Sequence, residues 1–160
     1  MESIICTGYI SEYPLYVSWD RSFSDLLALL PKSKQRFLLY DVKVKDAFPE
    51  IIELFGKQGV YLYGINAVET NKSWEELQRI LSFLFEHKPS RNDQVIVVCG
   101  VLTLNLGWLD GSLAMRGMPF YYVPTTLTAQ IDASFGSKQA VNFKGAKNWI
   151  GMFNDPTFCY

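Results

Sequence analysis

Apolar positions recur along this chain with two different periods, and the changes of period mark its elements. The run "PLYVSW" (14–19) is apolar and aromatic and reads as an early strand. "SFSDLLALL" then shifts to helical spacing, with Ser22 or Ser24 as the N-cap, and Pro31 with the basic "KSKQR" ends it. "FLLYD" (37–41) is a compact strand that closes on a carboxylate. "DAFPEIIELFGKQG" predicts a helix stopping at Gly56 or Gly59, and "VYLYGI" (60–65) the next strand. The clearest helix is "SWEELQRILSFLFEHK". Its Trp74, Leu77, Ile80, Leu81, Leu84 and Phe85 share one face, and Ser73 with Glu76 makes a capping box. The turn "PSRND" leads into the strand "VIVVC" (95–99), and "MPFYYV" (118–123) is strand-like again.

Strands alternating with helices predict an α/β domain with a largely parallel sheet. Ligands of such sheets bind beyond the carboxyl ends of the strands. Asp41 and the loops after Ile65, Cys99 and Val123 are therefore the candidate positions. One run, "VIVVCGVLTLNLGWLDGSLAM" (95–115), has the length of a membrane span. Its β-branched start and its Asp110 favour a buried strand joined to a buried helix, because a mid-membrane carboxylate is costly.

Composition narrows the function. The 160 residues suit a single domain, and 49% apolar against 19% charged residues allow a packed core. Fifteen basic and sixteen acidic residues leave a net charge of −1, with no basic run to hold nucleic acid or an anionic membrane. Cys6, Cys99 and Cys159 form no CxxC pair and fit a reducing, cytoplasmic setting. No signal-peptide pattern follows Met1. The single histidine, His87, falls at a helix end, so this chain alone builds neither a multi-histidine zinc site nor a Ser-His-Asp triad. After "VIVV" the chain reads "CGVLTLN", in which only Gly100 is glycine, so no dinucleotide fingerprint is present.

The richest stretch is "VPTTLTAQIDASFGSKQAVNFKGAKN" (123–148). Thr125 and Thr126 follow a strand and can cap the next helix while offering hydroxyls. Asp132 and Lys138 can meet only across the "SFGS" turn, and Lys147 and Asn148 follow another glycine. Lysines near one aspartate suit an anionic, hydroxyl-rich ligand such as a sugar phosphate. They equally suit an exposed face. Glu69 and Lys72 in "VETNKS" read most simply as a solvated turn.

"MRGMPFYYVPTTLTAQIDASFGSKQAVNFKGAKNWIGMF" closely resembles the sugar phosphate cyclases, the family of 3-dehydroquinate synthase. That family reads RG-x-P, then VPTTLLAQ-x-D-x-S-x-G-x-K-x-x-VN, then GKN-x-x-G-x-F. "FLLYD", "ETNKS" and "SRNDQVIVVCG" echo its upstream strands and its E-x-x-K-S loop, so the resemblance covers most of residues 1–160 in order. It implies a Rossmann-like N-terminal NAD-binding domain, with a helical C-terminal domain supplying a Glu and two His for a divalent metal, Zn or Co. On this resemblance the chain stops where the metal domain begins. Such enzymes oxidise a sugar-phosphate hydroxyl transiently, eliminate phosphate, and close a carbocycle.

Carried over, Asp41, Glu69, Lys72, Gly100, Asn105, Thr125 and Thr126 would face NAD. Asp132, Lys138, Lys147 and Asn148 would face the polyol phosphate. Arg116 would reach the phosphate across a dimer interface, in a homodimer or against a partner chain. The family's GGG-x-x-GD appears here as "CGVLTLN", so Cys99, Val101 and Leu104 stand where bare backbone is expected and would weaken NAD binding. Asn105, the "LTLN" ending and "KQAVN" resemble 2-deoxy-scyllo-inosose synthases, which is the branch expected; "PTTLTAQIDASFGSK" resembles 3-dehydroquinate synthases, the alternative. A degenerate, non-catalytic association subunit is the alternative of another class.

Overall fold

The computed structural model describes residues 1–19 and 23–160. Two antiparallel strands, β1 (Glu2–Thr7) and β2 (Glu12–Val17), open the chain. The remainder runs α1 (Ser24–Leu29), β3 (Arg36–Asp41), α2 (Val42–Ala47), α3 (Pro49–Lys57), β4 (Tyr61–Ile65), α4 (Trp74–Glu86), β5 (Gln94–Cys99), α5 (Val101–Leu113) and β6 (Phe120–Pro124). A wide π-helical turn (Ala129–Ala133), the antiparallel hairpin β7 (Lys138–Phe143) and β8 (Ala146–Phe153), and the short β9 (Phe158–Cys159) complete it.

Seven strands form one sheet in the order β1-β2-β9-β6-β5-β3-β4, parallel throughout except for β1 against β2. Period-2 alternation divides the core cleanly. Phe37, Leu39, Val95 and Val97 point to one face, where Leu77, Ile80 and Leu84 of α4 and Leu104 and Trp108 of α5 cover them. Leu38, Ile96 and Val98 point to the other, under Leu26, Val44, Ile51 and Phe55. Strands buried on both faces are why "FLLY" and "VIVVC" read as continuous apolar runs.

The connection β3→β4 steps outward, and β4→β5 jumps back past β3. Right-handed crossovers require the covering helices to change face when the direction reverses. This puts α2 and α3 on one side and α4 and α5 on the other. The reversal creates a switch point between the carboxyl ends of β3 and β5. Helix α5 lies close to the sheet because Gly107 carries no side chain: a Cβ there would sit 2.8 Å from both Val97 methyls.

Several sequence expectations shift. Strand β1 has no clear sequence signal, as five of its six residues are exposed and both faces mix Ile with polar residues. Ser24 begins α1 rather than capping it; Phe23 is the cap residue, at φ 53°. Ser22 lies outside the described residues. The helix predicted over 46–59 is two helices, because Pro49 drives Phe48 out of helical geometry (φ −139°, ψ 63°) and starts α3 itself. Ser73 caps α4 by accepting the Glu76 N–H (3.3 Å), but the Glu76 carboxylate turns to Arg79 (2.6 Å) and Tyr63 (3.3 Å), so only half the capping box forms. Phe85 leaves the core face and is 81% exposed; Phe83 packs inward in its place. The apolar run over 95–115 resolves into β5 and α5, and no helix among the described residues is long and apolar enough to cross a membrane.

Asp110 is fully buried on α5, and neither carboxyl oxygen has a hydrogen-bond partner. Burial first, and the Glu76 carboxylate second, push its pKa well above the usual range. The folded state thus keeps a proton that the unfolded chain releases above about pH 3.9. That contribution is complete below about pH 3.9 and is lost as pH rises through the folded pKa. Chemical denaturation of the parent and Asp110→Asn chains between about pH 4 and pH 8 should show the variant gaining relative stability as pH rises. A pH-independent difference would contradict a neutral buried Asp110.

Candidate functional site

Four parallel strands end on one edge of the sheet, and the predicted residues follow those ends. Asp41 closes β3, and the turn holding Glu69 and Lys72 follows β4. Gly100 follows β5, and Thr125 and Thr126 follow β6. Asp41 and Gly100 flank the switch point. The Asp41 carboxylate is nearly buried and accepts the Lys43 N–H (3.0 Å), so it caps α2 as well as facing this edge.

Gly100 is the first turn's entry into α5, and no side chain caps that end. The amides at the start of the helix are thus left to an outside acceptor, and the helix dipole favours an anion there. A Cβ on Gly100 would stand 3.2 Å from Thr126 Cγ2, so the bare backbone lies against the β6 turn. Thr126 caps the following turn by accepting the Ala129 N–H (3.3 Å). Of the three residues expected to crowd this end, two do not. Cys99 and Leu104 are fully buried in the core, and only Val101 is partly exposed at the helix start. The first-turn amides are thus left beside one of these side chains rather than three.

The hairpin β7–β8 packs on α5 and α4 and brings the late lysines to the same region. Asn105 joins the two: its amide donates to the Val101 carbonyl (2.8 Å) and its oxygen accepts the Ala140 N–H (3.3 Å). It is thus a clip within the protein, and it also lines the cavity that the hairpin makes with Lys72. Lys72 Nζ donates to Asn148 Oδ1 at 2.6 Å, across 76 residues of chain. Burial first, and then the neighbouring Lys147 ammonium, lower the Lys72 pKa, with Glu69 opposing them.

A cavity of about 470 Å³ opens beside this pair, lined by Lys72, Asn105, Lys138, Asn148, Trp149 and Met152. Two ammonium groups, the amides of Asn105, Gln139 and Asn148, and an exposed indole can hold an anionic group beside hydroxyls. A larger apolar groove of about 650 Å³ on the outer face of α4 has fewer polar groups, so chemistry rather than size locates the site.

Other predicted residues stand apart. Asp132 is exposed on the π-helical turn, does not line the cavity, and forms no ion pair with Lys138. Lys138, Lys147 and Asn148 are all exposed. Arg116 lies before the amino end of β6, opposite the edge that carries Thr125. Sequence reasoning singled out neither Asn142 nor Trp149. Asn142 donates to Glu69 Oε1 (2.9 Å) and accepts the Asn148 N–H (3.0 Å). The "VN" pair before a glycine turn was its only signal.

Comparison with known proteins gives this geometry a family. The family described as 3-dehydroquinate synthase N-terminal matches residues 62–160. The 3-dehydroquinate synthase of Clostridium tetani (strain Massachusetts / E88) is 33% identical over 159 residues, covering 94% of this chain and 41% of that protein. The crystal structure of 2-deoxy-scyllo-inosose synthase complexed with carbaglucose-6-phosphate, NAD+ and Co2+ shares the fold at a TM-score of 0.88 and 22% identity, over 99% of this chain and 45% of that one. ValA (2-epi-5-epi-valiolone synthase) from Streptomyces hygroscopicus subsp. jinggangensis 5008, with NAD+ and Zn2+ bound, aligns with a TM-score of 0.81 and 24% identity, over 98% and 44%. The chain spans less than half the length of each of these relatives. A family match over more than half the residues, a relative one-third identical along nearly the whole chain, and the shared fold agree: this chain belongs to the 3-dehydroquinate synthase family of sugar phosphate cyclases and corresponds to the N-terminal part of its members.

Proposed function

We propose that this chain is the NAD-holding half of a sugar phosphate cyclase. The uncapped start of α5 against Thr126, at the switch point of the sheet, is the observation that carries the reading. The backbone amides there would receive the pyrophosphate, and Asp41 and Glu69 would accept from ribose hydroxyls. Lys138, Lys147 and Asn148 would hold an anionic polyol beside them, with Lys72 between the two ligands. NAD would supply reversible oxidation of a hydroxyl on that polyol. The divalent metal of such enzymes has no ligand set here: among the described residues no group of three or more His, Cys, Asp or Glu can hold one. It would have to come from a further domain or chain. Arg116, at the far end of β6, would reach a phosphate only on a second copy or partner chain.

Within the family, the 33% identity to a 3-dehydroquinate synthase favours that branch over the inosose branch, whose solved member is 22% identical. Asn105 is one of the features that resemble inosose synthases, beside "KQAVN". Its clip between α5 and β7 offers a local reason for an amide, since a carboxylate cannot donate to the Val101 carbonyl.

Two outcomes test these points. Thermal melting of the chain in millimolar NAD should shift upward with concentration, as binding to the native state alone requires, and Glu69→Ala should reduce the shift. An unchanged melting temperature would remove NAD from the reading. Asn105→Asp should destabilise by about 1–2 kcal/mol in chemical denaturation through the lost donor. Unchanged stability would contradict the clip.

A further inference from the structure

We propose that Asn142 is a positioning residue that holds Glu69 and Lys72 in place for the ligand, an inference that rests on the ligand-facing role given to those two side chains above. The backbone prepares it for this. The pairing of β7 with β8 slips between Val141 and Phe143: Val141 faces Ile150 and Phe143 faces Ala146, so the extra residues bulge from β8 at 147–149, and Asn142 opposite them has no partner in the ladder. Bulges release a residue from the ladder and re-aim its side chain. The freed Asn142 N–H donates to the Lys72 carbonyl at 2.8 Å, and Ser73 bridges to Asn142 beside it. Strand β7 thereby grips the β4–α4 turn through the main chain.

The side chain then closes a ring. Asn142 Nδ2 donates to Glu69 Oε1 (2.9 Å), and Asn142 Oδ1 accepts the Asn148 N–H (3.0 Å). Asn148 Oδ1 accepts from Lys72 Nζ (2.6 Å), and the Lys72 carbonyl returns to Asn142. Asn148 adopts φ 53°, a left-handed conformation that asparagine tolerates better than most residues, and this aims both its N–H and its amide into the ring. One carboxamide thus serves both partners with opposite polarity, which neither Asp nor Ala can do. Lys72 is drawn against the hairpin instead of reaching into water, and this burial lowers its pKa despite the opposing Glu69 carboxylate.

The test uses Asn142→Ala and the near-isosteric Asn142→Asp. Amine acylation of Lys72 is followed by mass spectrometry as a function of pH, with exposed Lys57 as internal reference, and NAD affinity is read from melting shifts. In the parent chain Lys72 should titrate below Lys57. In either variant its profile should move up towards that of Lys57. NAD affinity should fall about tenfold, as expected when a charge-assisted hydrogen bond is misplaced. A folded variant whose Lys72 profile matches the parent overturns the proposal, and so does an altered profile with unchanged NAD affinity. Should Asn142→Ala fail to fold, Asn142→Asp carries the same readouts. If the parent binds no NAD, the proposed function falls, while the Lys72 profile still decides whether Asn142 positions it.

Discussion

A helix enclosed on all sides sets the geometry of this protein. Helix α5 is buried from Thr103 to Ser112, with the sheet beneath it, α4 beside it and the β7–β8 hairpin across it. Its contact with β5 is close only because Gly107 leaves room for the Val97 methyls. Its start, at Gly100, is therefore fixed at the carboxyl edge of the sheet. The hairpin is fixed in turn through Asn105. A helix that faced solvent would leave both halves of the site free to drift.

That constraint explains how residues far apart in sequence share one chemistry. Strand ends deliver Asp41, Gly100, Thr125 and Thr126 to a common edge by topology alone. Lys72 and Asn148, 76 positions apart, meet because β7 lies between the β4–α4 turn and a bulged β8. The same hairpin is clamped at its base. Asp155 accepts the N–H groups of Tyr9 (3.0 Å), Ile10 and Ser11 (2.9 Å) and the Ser137 hydroxyl, joining the β1–β2 turn to the end of β8. Burial would raise the Asp155 pKa, but these donors outweigh it and hold the carboxylate below its usual range.

The parallel α/β architecture was legible from its apolar runs, because central strands buried on both faces leave an unbroken hydrophobic signature in "FLLY" and "VIVVC". Edge strand β1 was not, since exposure removes that signature. Among site residues, those at strand ends were legible from the sheet rule. Asn142 was not, because the β8 bulge opposite it has no marker in a single sequence. Cys99 and Leu104, which depart from the glycine pattern in sequence, both turn their side chains into the core.

The central claim is that the carboxyl edge of this half-length chain is a nucleotide site organised around the start of α5. The most direct measurement is an amide chemical-shift map of the isotopically labelled chain with and without NAD. The account predicts concentrated changes at Gly100, Val101, Thr126 and the 69–72 turn, with Phe85 and Arg116 unaffected. Changes centred on the outer face of α4, or none at saturating NAD, would contradict it.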